Sequence, residues 1–185
     1  MIVADTNLLI YLYVHGQRTR TAESVLSRDA TWTAPLLWRS EFRNTLTGLV
    51  RRRALLVEDA IRIAHEAERQ MVGREYSVVS HHVLQLAAHS GCSAYDCEFV
   101  ALAQDLAVPL VTSDRALLRA FPRDTVLPEA FVSRYAATRR ARARSRAAAS
   151  TSPPGRSSTI AMKSAPKISR WKSTHRIARY SFRKT

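Results

Sequence analysis

The chain has 185 residues, 46% of them hydrophobic, which is enough for one compact domain with its own core and some remainder. All 15 acidic residues and 15 arginines lie in residues 1–135, so the formal charge of +14 comes entirely from the 14 basic residues of 136–185. No lysine precedes Lys163. This excludes from residues 1–162 a P-loop nucleoside triphosphatase, a haloacid-dehalogenase-type phosphatase and a response-regulator receiver, which all depend on a lysine.

The sequence shows no sign of a membrane segment or of a secreted, disulfide-rich protein. No apolar run approaches the roughly 20 residues that a membrane-spanning helix needs, and the N-terminus lacks the basic region of a signal peptide. Cys92 and Cys97 are spaced unlike zinc ligands, and two cysteines are too few for a disulfide scaffold. We therefore expect reduced thiols and a cytoplasmic protein that does not contact a membrane.

Strand and helix signals alternate along residues 1–135, which predicts a three-layer α/β domain with a central, mainly parallel sheet flanked by helices. The predicted strands are residues 1–4, 31–34, 76–79, 109–111 and 125–127. The predicted helices are residues 8–14, 19–28, 35–52, 57–71, 81–89, a helix from 93 onward, 115–120 and 128–135. Three of these helices have the apolar spacing that predicts one buried face each. The predicted buried residues are Phe42, Leu46, Leu49 and Val50 in the third helix, Ile61, Ala64 and Ala67 in the fourth, and Tyr95, Phe99, Leu102 and Leu106 in the sixth.

The last fifty residues differ from the rest in composition. Residues 136–185 combine Ser, Pro and Ala with dense positive charge, and such a segment buries too little apolar surface to offset its ordering entropy. We therefore predict a mostly disordered basic tail after a domain that ends near residue 135. Two interpretations of the tail stay open: it holds RNA phosphates by counterion release, or it is a dispensable extension.

Four acidic residues lie where predicted strands or loops meet predicted helices: Asp5, Glu41, Asp96 and Asp114. Each has a structural explanation of its own. Asp5 and Asp114 suit helix N-caps. Asp96 suits the acid position of a capping box that Ser93 opens, and Glu41 suits the positive end of its helix dipole.

Taken together, the four acids predict a metal site. In a doubly wound sheet the strand C-termini and helix N-termini share one edge, where these side chains would meet. Several carboxylates in one place raise each other's pKa unless a cation neutralises them. Oxygen ligands suit Mg²⁺ or Mn²⁺ rather than zinc, and such a cluster matches metal-assisted hydrolysis of a phosphodiester.

Four segments carry a resemblance to a known family: Asp5-Thr6-Asn7 after the first strand, Trp38-Arg39-Ser40-Glu41 at the start of a helix, Ser93-Ala94-Tyr95-Asp96-Cys97-Glu98-Phe99, and Leu110-Val111-Thr112-Ser113-Asp114. Over about residues 1–135 the chain resembles the PIN-domain ribonucleases, and among them the VapC toxins of bacterial toxin–antitoxin pairs. The basic tail departs from this pattern, because such compact toxins usually lack one.

The resemblance implies a Mg²⁺-dependent endoribonuclease, with Mn²⁺ as a second candidate metal, that acts on RNA, forms a homodimer and is neutralised by a cognate antitoxin protein. The implied catalytic residues are Asp5, Glu41, Asp96 and Asp114, with Asp5 and Asp96 as direct metal ligands. The implied supporting residues are Thr6, Asn7, Thr112 and Ser113.

A PIN-like module that binds RNA or a protein partner without catalysis is the competing interpretation. It predicts gaps in the acidic set, and the sequence has none. Glu98 lies two positions from Asp96, roughly 200° around a helix, and is either an accessory acid or a partner-facing or solvated residue. Arg39, Arg43 and Arg115 either contact substrate phosphates or balance the acidic cluster.

Overall fold

The computed structural model describes residues 1–134, and the predictions for residues 135–185, including the disordered tail, lie outside the described residues. The strands are β1 (Ile2–Ala4), β2 (Trp32–Pro35), β3 (Glu75–Tyr76), β4 (Leu110–Val111) and β5 (Thr125–Val126). The helices are α1 (Thr6–Tyr13), α2 (Thr19–Arg28), α3 (Trp38–Arg51), α4 (Val57–Met71), α5 (Ser80–Ser90), α6 (Ala94–Asp105) and α7 (Arg115–Ala120). Residues 128–134 are also helical.

The strands form one parallel sheet in the order β3-β2-β1-β4-β5, with β1 in the centre. The three residues of β1 are completely buried, as expected of a strand covered on both faces. From β1 the chain first runs outward through β2 and β3, and then returns to the other side of β1 with β4 and β5. Such a reversal of strand order is where α/β sheets bind ligands, at the carboxyl ends of the strands.

Two groups of helices flank the sheet. Helices α1 to α4 pack on one another, and α4 lies against β2, whereas α5 packs on α6, which lies along β1, β2 and β4. The largest fully buried side chains include Trp32, Trp38, Phe42, Ile63 and Met71. The predicted α/β class with a parallel central sheet is confirmed. No helix within residues 1–134 is both long and apolar enough to cross a membrane.

Several predicted boundaries agree with the structure because local chemistry sets them. Helices α2, α4 and α7 have the predicted bounds. Helix α5 is followed by Gly91, whose φ of 72° is the left-handed conformation that ends many helices. Helix α1 begins at Thr6, two residues before the prediction, because Asp5 occupies its N-cap position.

The predicted start of a helix at Pro35 is wrong. Pro35 is the last residue of β2, and α3 begins only at Trp38. The N–H groups of Ala34 and Leu36, on either side of it, donate to carbonyls of Arg74 and Tyr76. Because alternate residues of a strand point their N–H groups to opposite neighbours, a proline here costs no hydrogen bond to β3.

Two predicted buried faces are wrong in part. Ile61 is 53% exposed, and the buried side of α4 consists of Ala60, Ile63, Ala67 and Met71. Tyr95 is 65% exposed, although Phe99 and Leu102 on the same helix are buried. Both helices carry more apolar residues than one face holds, so the packing partners decide which of them are covered.

Candidate active site

The predicted sheet edge brings the ends of β1 and β4 side by side. Asp5 follows β1, and its backbone N–H donates to the carbonyl of Val111, the last residue of β4, at 3.2 Å. Thr112, Ser113 and Asp114 follow β4 directly. The two motifs that lie farthest apart in the sequence therefore meet at the switch point of the sheet.

A cavity of about 260 Å³ opens at this edge, and all four predicted acids line it. Asp5 follows a strand, Glu41 lies in the first turn of α3, Asp96 in the first turn of α6, and Asp114 precedes α7. We call this cavity the acidic cleft. Its lining residues are Asp5, Thr6, Asn7, Glu41, Asn44, Thr45, Asp96, Phe99, Asp114 and Leu117.

Asp5 is the most enclosed of the four acids, with 8% of its surface exposed. The Thr112 hydroxyl donates to Asp5 Oδ2 at 2.6 Å, and the Asn7 N–H donates to Oδ1 at 3.3 Å, so Asp5 also caps α1. Burial raises the pKa of Asp5, the hydrogen bonds from Thr112 and Asn7 oppose this, and the charge of Asp114 adds to the rise. The capping role and the place in the cleft coexist.

Glu41 accepts a hydrogen bond from a hydroxyl group, and within residues 1–134 it forms no ion pair. Thr6 donates from Oγ1 to Glu41 Oε2 at 2.6 Å, which ties α3 to α1. Burial raises the pKa of Glu41, the Thr6 hydrogen bond lowers it, and the charges of Asp5 and Asp96 raise it again. The proximity of other acids thus makes ionisation of Glu41 less favourable than in water.

Asp96 and Asp114 each use one carboxylate oxygen at the start of a helix, Asp96 to accept from the N-cap residue Ser93 and Asp114 as the N-cap itself. One half of the predicted capping box is present, since the Ser93 hydroxyl accepts from the Asp96 N–H at 3.1 Å; the same hydroxyl donates to Asp96 Oδ2 at 2.6 Å. Asp114 Oδ1 accepts from the N–H groups of Ala116 and Leu117. Within residues 1–134, Oδ1 of Asp96, Oδ2 of Asp114 and Oε1 of Glu41 accept no hydrogen bond.

The donor atoms of the cleft suit a hard divalent cation. They are oxygens of four carboxylates, with the Asn44 amide and threonine hydroxyls beside them, and oxygen donors are what Mg²⁺ and Mn²⁺ bind. Burial raises the pKa values of Asp5 and Glu41, and the charges of neighbouring acids add to the rise. In residues 1–134, however, no three His, Cys, Asp or Glu side chains are arranged so that they already form a metal site.

The predicted supporting residues do not all lie at the cleft, and Glu98 lies at a different cavity. Thr6, Asn7 and Thr112 contact or line the cleft, whereas Ser113 accepts a hydrogen bond from Arg18 Nη1. Glu98 lines a different cavity, an apolar groove of about 440 Å³. Its charge still contributes to the raised pKa of Glu41.

Two of the three flanking arginines have partners outside the cleft. Arg39 forms a two-pronged ion pair with Glu75 at 2.6 and 2.8 Å and a further ion pair with Glu68 at 2.9 Å. Arg43 donates to the backbone carbonyl of Arg39. The expectation that Arg39 balances the four acids is wrong, because β3 and α4 supply its partners.

Sequence reasoning missed two residues that belong to this region. Asn44 lines the cleft, and its position one helical turn after Glu41 is a signal that could have identified it. Arg18 reaches the segment after β4 from the loop before α2. No spacing rule connects Arg18 with Ser113, because they are 95 positions apart in the sequence.

The family profile described as PIN domain matches residues 2–122. The chain belongs to the PIN-domain family. This PIN domain is 29% identical over 124 residues to Ribonuclease VapC3 of Pyrobaculum aerophilum, an alignment that covers 65% of this chain and 95% of that protein.

Solved structures share the fold of this PIN domain. The crystal structure of PAE2754 from Pyrobaculum aerophilum superposes with a TM-score of 0.60 at 20% identity, over 74% of this chain and 95% of the other. A toxin–antitoxin complex from Klebsiella pneumoniae gives 0.52 at 19% identity, over 69% of this chain and 98% of the other. FitAcB from Neisseria gonorrhoeae gives 0.53 at 17% identity, also over 69% and 98%.

Proposed function

We propose that this PIN domain is a Mg²⁺-dependent endoribonuclease, with Mn²⁺ able to replace Mg²⁺, and that it is the toxin of a toxin–antitoxin pair acting in the cytoplasm. The observation that carries the proposal is the convergence of Asp5, Glu41, Asp96 and Asp114 on one cleft at the switch point of the sheet. The similarity to a ribonuclease named VapC3 supports the reaction class. The fold shared with a toxin–antitoxin complex supports the biological role.

Asp5 and Asp96 would hold the metal ion, because they approach the cleft from β1 and α6 with carboxylate oxygens. When bound, the ion supplies a water activated for attack and stabilises charge that develops on the phosphate. Thr112 fixes the rotamer of Asp5, since its hydroxyl also accepts the Asp114 N–H at 2.9 Å. One threonine thereby couples the positions of two acids.

Glu41 is the residue we assign to proton transfer. Thr6 occupies its Oε2, and Oε1 is left to accept the proton of the attacking water. A carboxylate with a raised pKa is a better general base than one with an ordinary pKa, and burial together with neighbouring acids raises the pKa of Glu41. Asn44, one turn further along α3, lines the same cleft and can donate to a phosphate oxygen.

An apolar groove next to α6 supports a protein partner. Leu36, Tyr76 and Leu84 line it and are 51%, 36% and 63% exposed. Both the predicted antitoxin and the predicted homodimer need such a surface, since apolar patches left open on a monomer mark interaction sites. Light scattering on the purified chain, alone and after co-expression with a protein encoded beside it, distinguishes the two.

The decisive experiment incubates RNA with the purified full chain in Mg²⁺ and in EDTA. We expect cleavage only with the metal, and a rate at least about 100-fold lower for Asp5→Asn and for Asp96→Asn, because each removes a charged ligand. Asp105→Asn is the matched control: it lies on the same helix as Asp96 but pairs with His82 at the surface. Wild-type rates in both cleft variants, or cleavage that EDTA does not slow, would falsify the proposal.

A second candidate is a PIN domain that binds RNA or a partner without cleaving RNA. The observation in its favour is that the acids of residues 1–134 are not arranged as a ready metal site. It predicts that RNA binds to the wild type and to Asp96→Asn with equal affinity and is recovered intact in Mg²⁺. Sequencing the RNA ends after incubation separates the two candidates, since only the nuclease creates new ends.

A further inference from the structure

Arg18 is held by side-chain contacts from two directions, and one of them comes from Ser113, in the segment between β4 and α7. Its Nη1 donates to the Ser113 hydroxyl at 2.8 Å, and its guanidinium lies over the ring of Tyr11, 5.2 Å from the ring centroid. Its backbone is held as well, because the Arg18 carbonyl accepts the N–H of Ala22 at the start of α2. A long, exposed arginine side chain is therefore already ordered before any ligand binds.

Ser113, which accepts the hydrogen bond from Arg18, lies in a segment with two residues of the acidic cleft region. Ser113 lies between Thr112, which hydrogen-bonds Asp5, and Asp114, which lines the cleft. The Arg18 guanidinium is thus bound one residue away from both Thr112 and Asp114. The cation is therefore held at the same end of β4 as Asp114.

The charge of Arg18 is not neutralised by protein groups. Among residues 1–134 it forms no ion pair, and its contacts are to a hydroxyl oxygen and to an aromatic ring. Arg39 is the contrasting case, with Glu75 and Glu68 as carboxylate partners. Of the five N–H donors that a guanidinium carries, Ser113 uses one.

We propose that Arg18 binds an RNA backbone phosphate adjacent to the one that is cleaved, an inference that rests on the proposed nuclease function. A cleft lined by four carboxylates repels a polyanion, and a fixed guanidinium at its edge offsets that repulsion. Arginine suits phosphate because its planar donors can engage two oxygens at once. Such a contact positions the strand without reading its sequence.

The competing interpretation is that Arg18 only connects the loop before α2 to the segment after β4. The two interpretations differ in what an altered side chain changes. Loss of a structural tie lowers stability and the turnover rate, whereas loss of a phosphate contact raises KM and weakens the salt dependence of RNA binding. Lysine at position 18 keeps the charge but not the paired donors, so it restores part of a phosphate contact.

The experiment compares Arg18→Ala and Arg18→Lys with Arg20→Ala in the full chain. Arg20 is exposed and lies two positions away in α2, so Arg20→Ala removes the same charge from a neighbouring surface position. For Arg18→Ala we expect KM to rise about tenfold with kcat nearly unchanged, with an intermediate KM for Arg18→Lys and wild-type values for Arg20→Ala. The tail is present in every variant, so its contribution cancels.

A second measurement follows RNA binding without cleavage. Each substitution is combined with Asp96→Asn, and the affinity for a labelled single-stranded RNA is measured by fluorescence anisotropy at several salt concentrations. Loss of one phosphate contact should lower the slope of log K against log salt by about 0.7 for Arg18→Ala and leave the slope of Arg20→Ala unchanged.

The outcomes distinguish this inference from the function on which it rests. Equal KM values and equal salt slopes for Arg18→Ala and Arg20→Ala overturn the role of Arg18 while leaving the nuclease intact. A fall in kcat and melting temperature with KM unchanged also overturns it, in favour of the structural tie. If the wild type cleaves no RNA, the nuclease proposal fails, and the salt slopes still decide whether Arg18 contacts phosphate.

Discussion

Glu41 in α3 and Glu75 in β3 are the same residue type, yet their surroundings shift their pKa values in opposite directions. Glu75 accepts from Arg39 and from the Trp38 indole N–H at 2.7 Å, and the Arg39 hydrogen bond lowers its pKa. Glu41 accepts one threonine hydroxyl, and burial and other acids raise its pKa. Glu75 is thus paired with a cation, whereas Glu41 lies among other acids.

The two regions respond to pH with opposite sign. A carboxyl group with a lowered pKa, such as Glu75, stabilises the fold above its ordinary value of 4.5, and that stability is lost as pH falls through the lower folded pKa. A carboxyl group with a raised pKa, such as Glu41, contributes most below 4.5, and that contribution is lost as pH rises through the higher folded pKa. At neutral pH Glu75 therefore stabilises the fold, and the metal-free cleft destabilises it.

The largest expected effect comes from adding Mg²⁺, the cation that we propose the cleft binds. Mg²⁺ at a hundredfold excess over its Kd should stabilise the wild type by about 2.7 kcal/mol, because it binds only the folded state. Asp5→Asn and Asp96→Asn should lose most of this gain. Melting curves in MgCl₂ and in NaCl of equal ionic strength measure it, with Asp105→Asn as control. Equal Mg²⁺ shifts in all these proteins would mean that the ion binds elsewhere.

A smaller effect is expected from removing Glu75 from its ion pair with Arg39. Glu75→Ala should lower the free energy of unfolding by about 2 kcal/mol, since it leaves the Trp38 N–H buried without an acceptor and leaves Arg39 with Glu68 as its remaining carboxylate partner. Urea denaturation at neutral pH measures this change. Glu68→Ala removes a more exposed partner of Arg39 and should cost less than about 1 kcal/mol. Similar losses for the two variants would show that Glu75 has no special role.

The smallest expected effect is a change of melting temperature with pH. Glu41→Gln keeps an acceptor for the Thr6 hydroxyl but removes a charge from the cleft. Without metal this variant should melt above the wild type at pH 7, and the difference should shrink as pH falls through the raised pKa of Glu41, because the wild type then becomes neutral there too. A difference that grows on acidification would contradict the raised pKa.

Much of the fold could be predicted because the relevant contacts are local. Asp114 caps α7 through N–H groups two and three residues ahead, and Gly91 ends α5 through its own backbone conformation. The predictions fail where a distant partner decides. Ile61 and Ile63 are equally apolar, but only Ile63 faces the core, and Pro35 fits β2 only because β3 lies beside it.

The sequence by itself determined the α/β class, the four acids and their places at element ends, since strand length, apolar spacing and capping act within a few residues. Only the tertiary structure decided which polar side chains meet. Asp5 and Thr112 are 107 residues apart, and Arg18 and Ser113 are 95 apart, yet each pair is in hydrogen-bonding contact. The physical reason is that the strand order places β1 next to β4, and no local pattern encodes that neighbourhood.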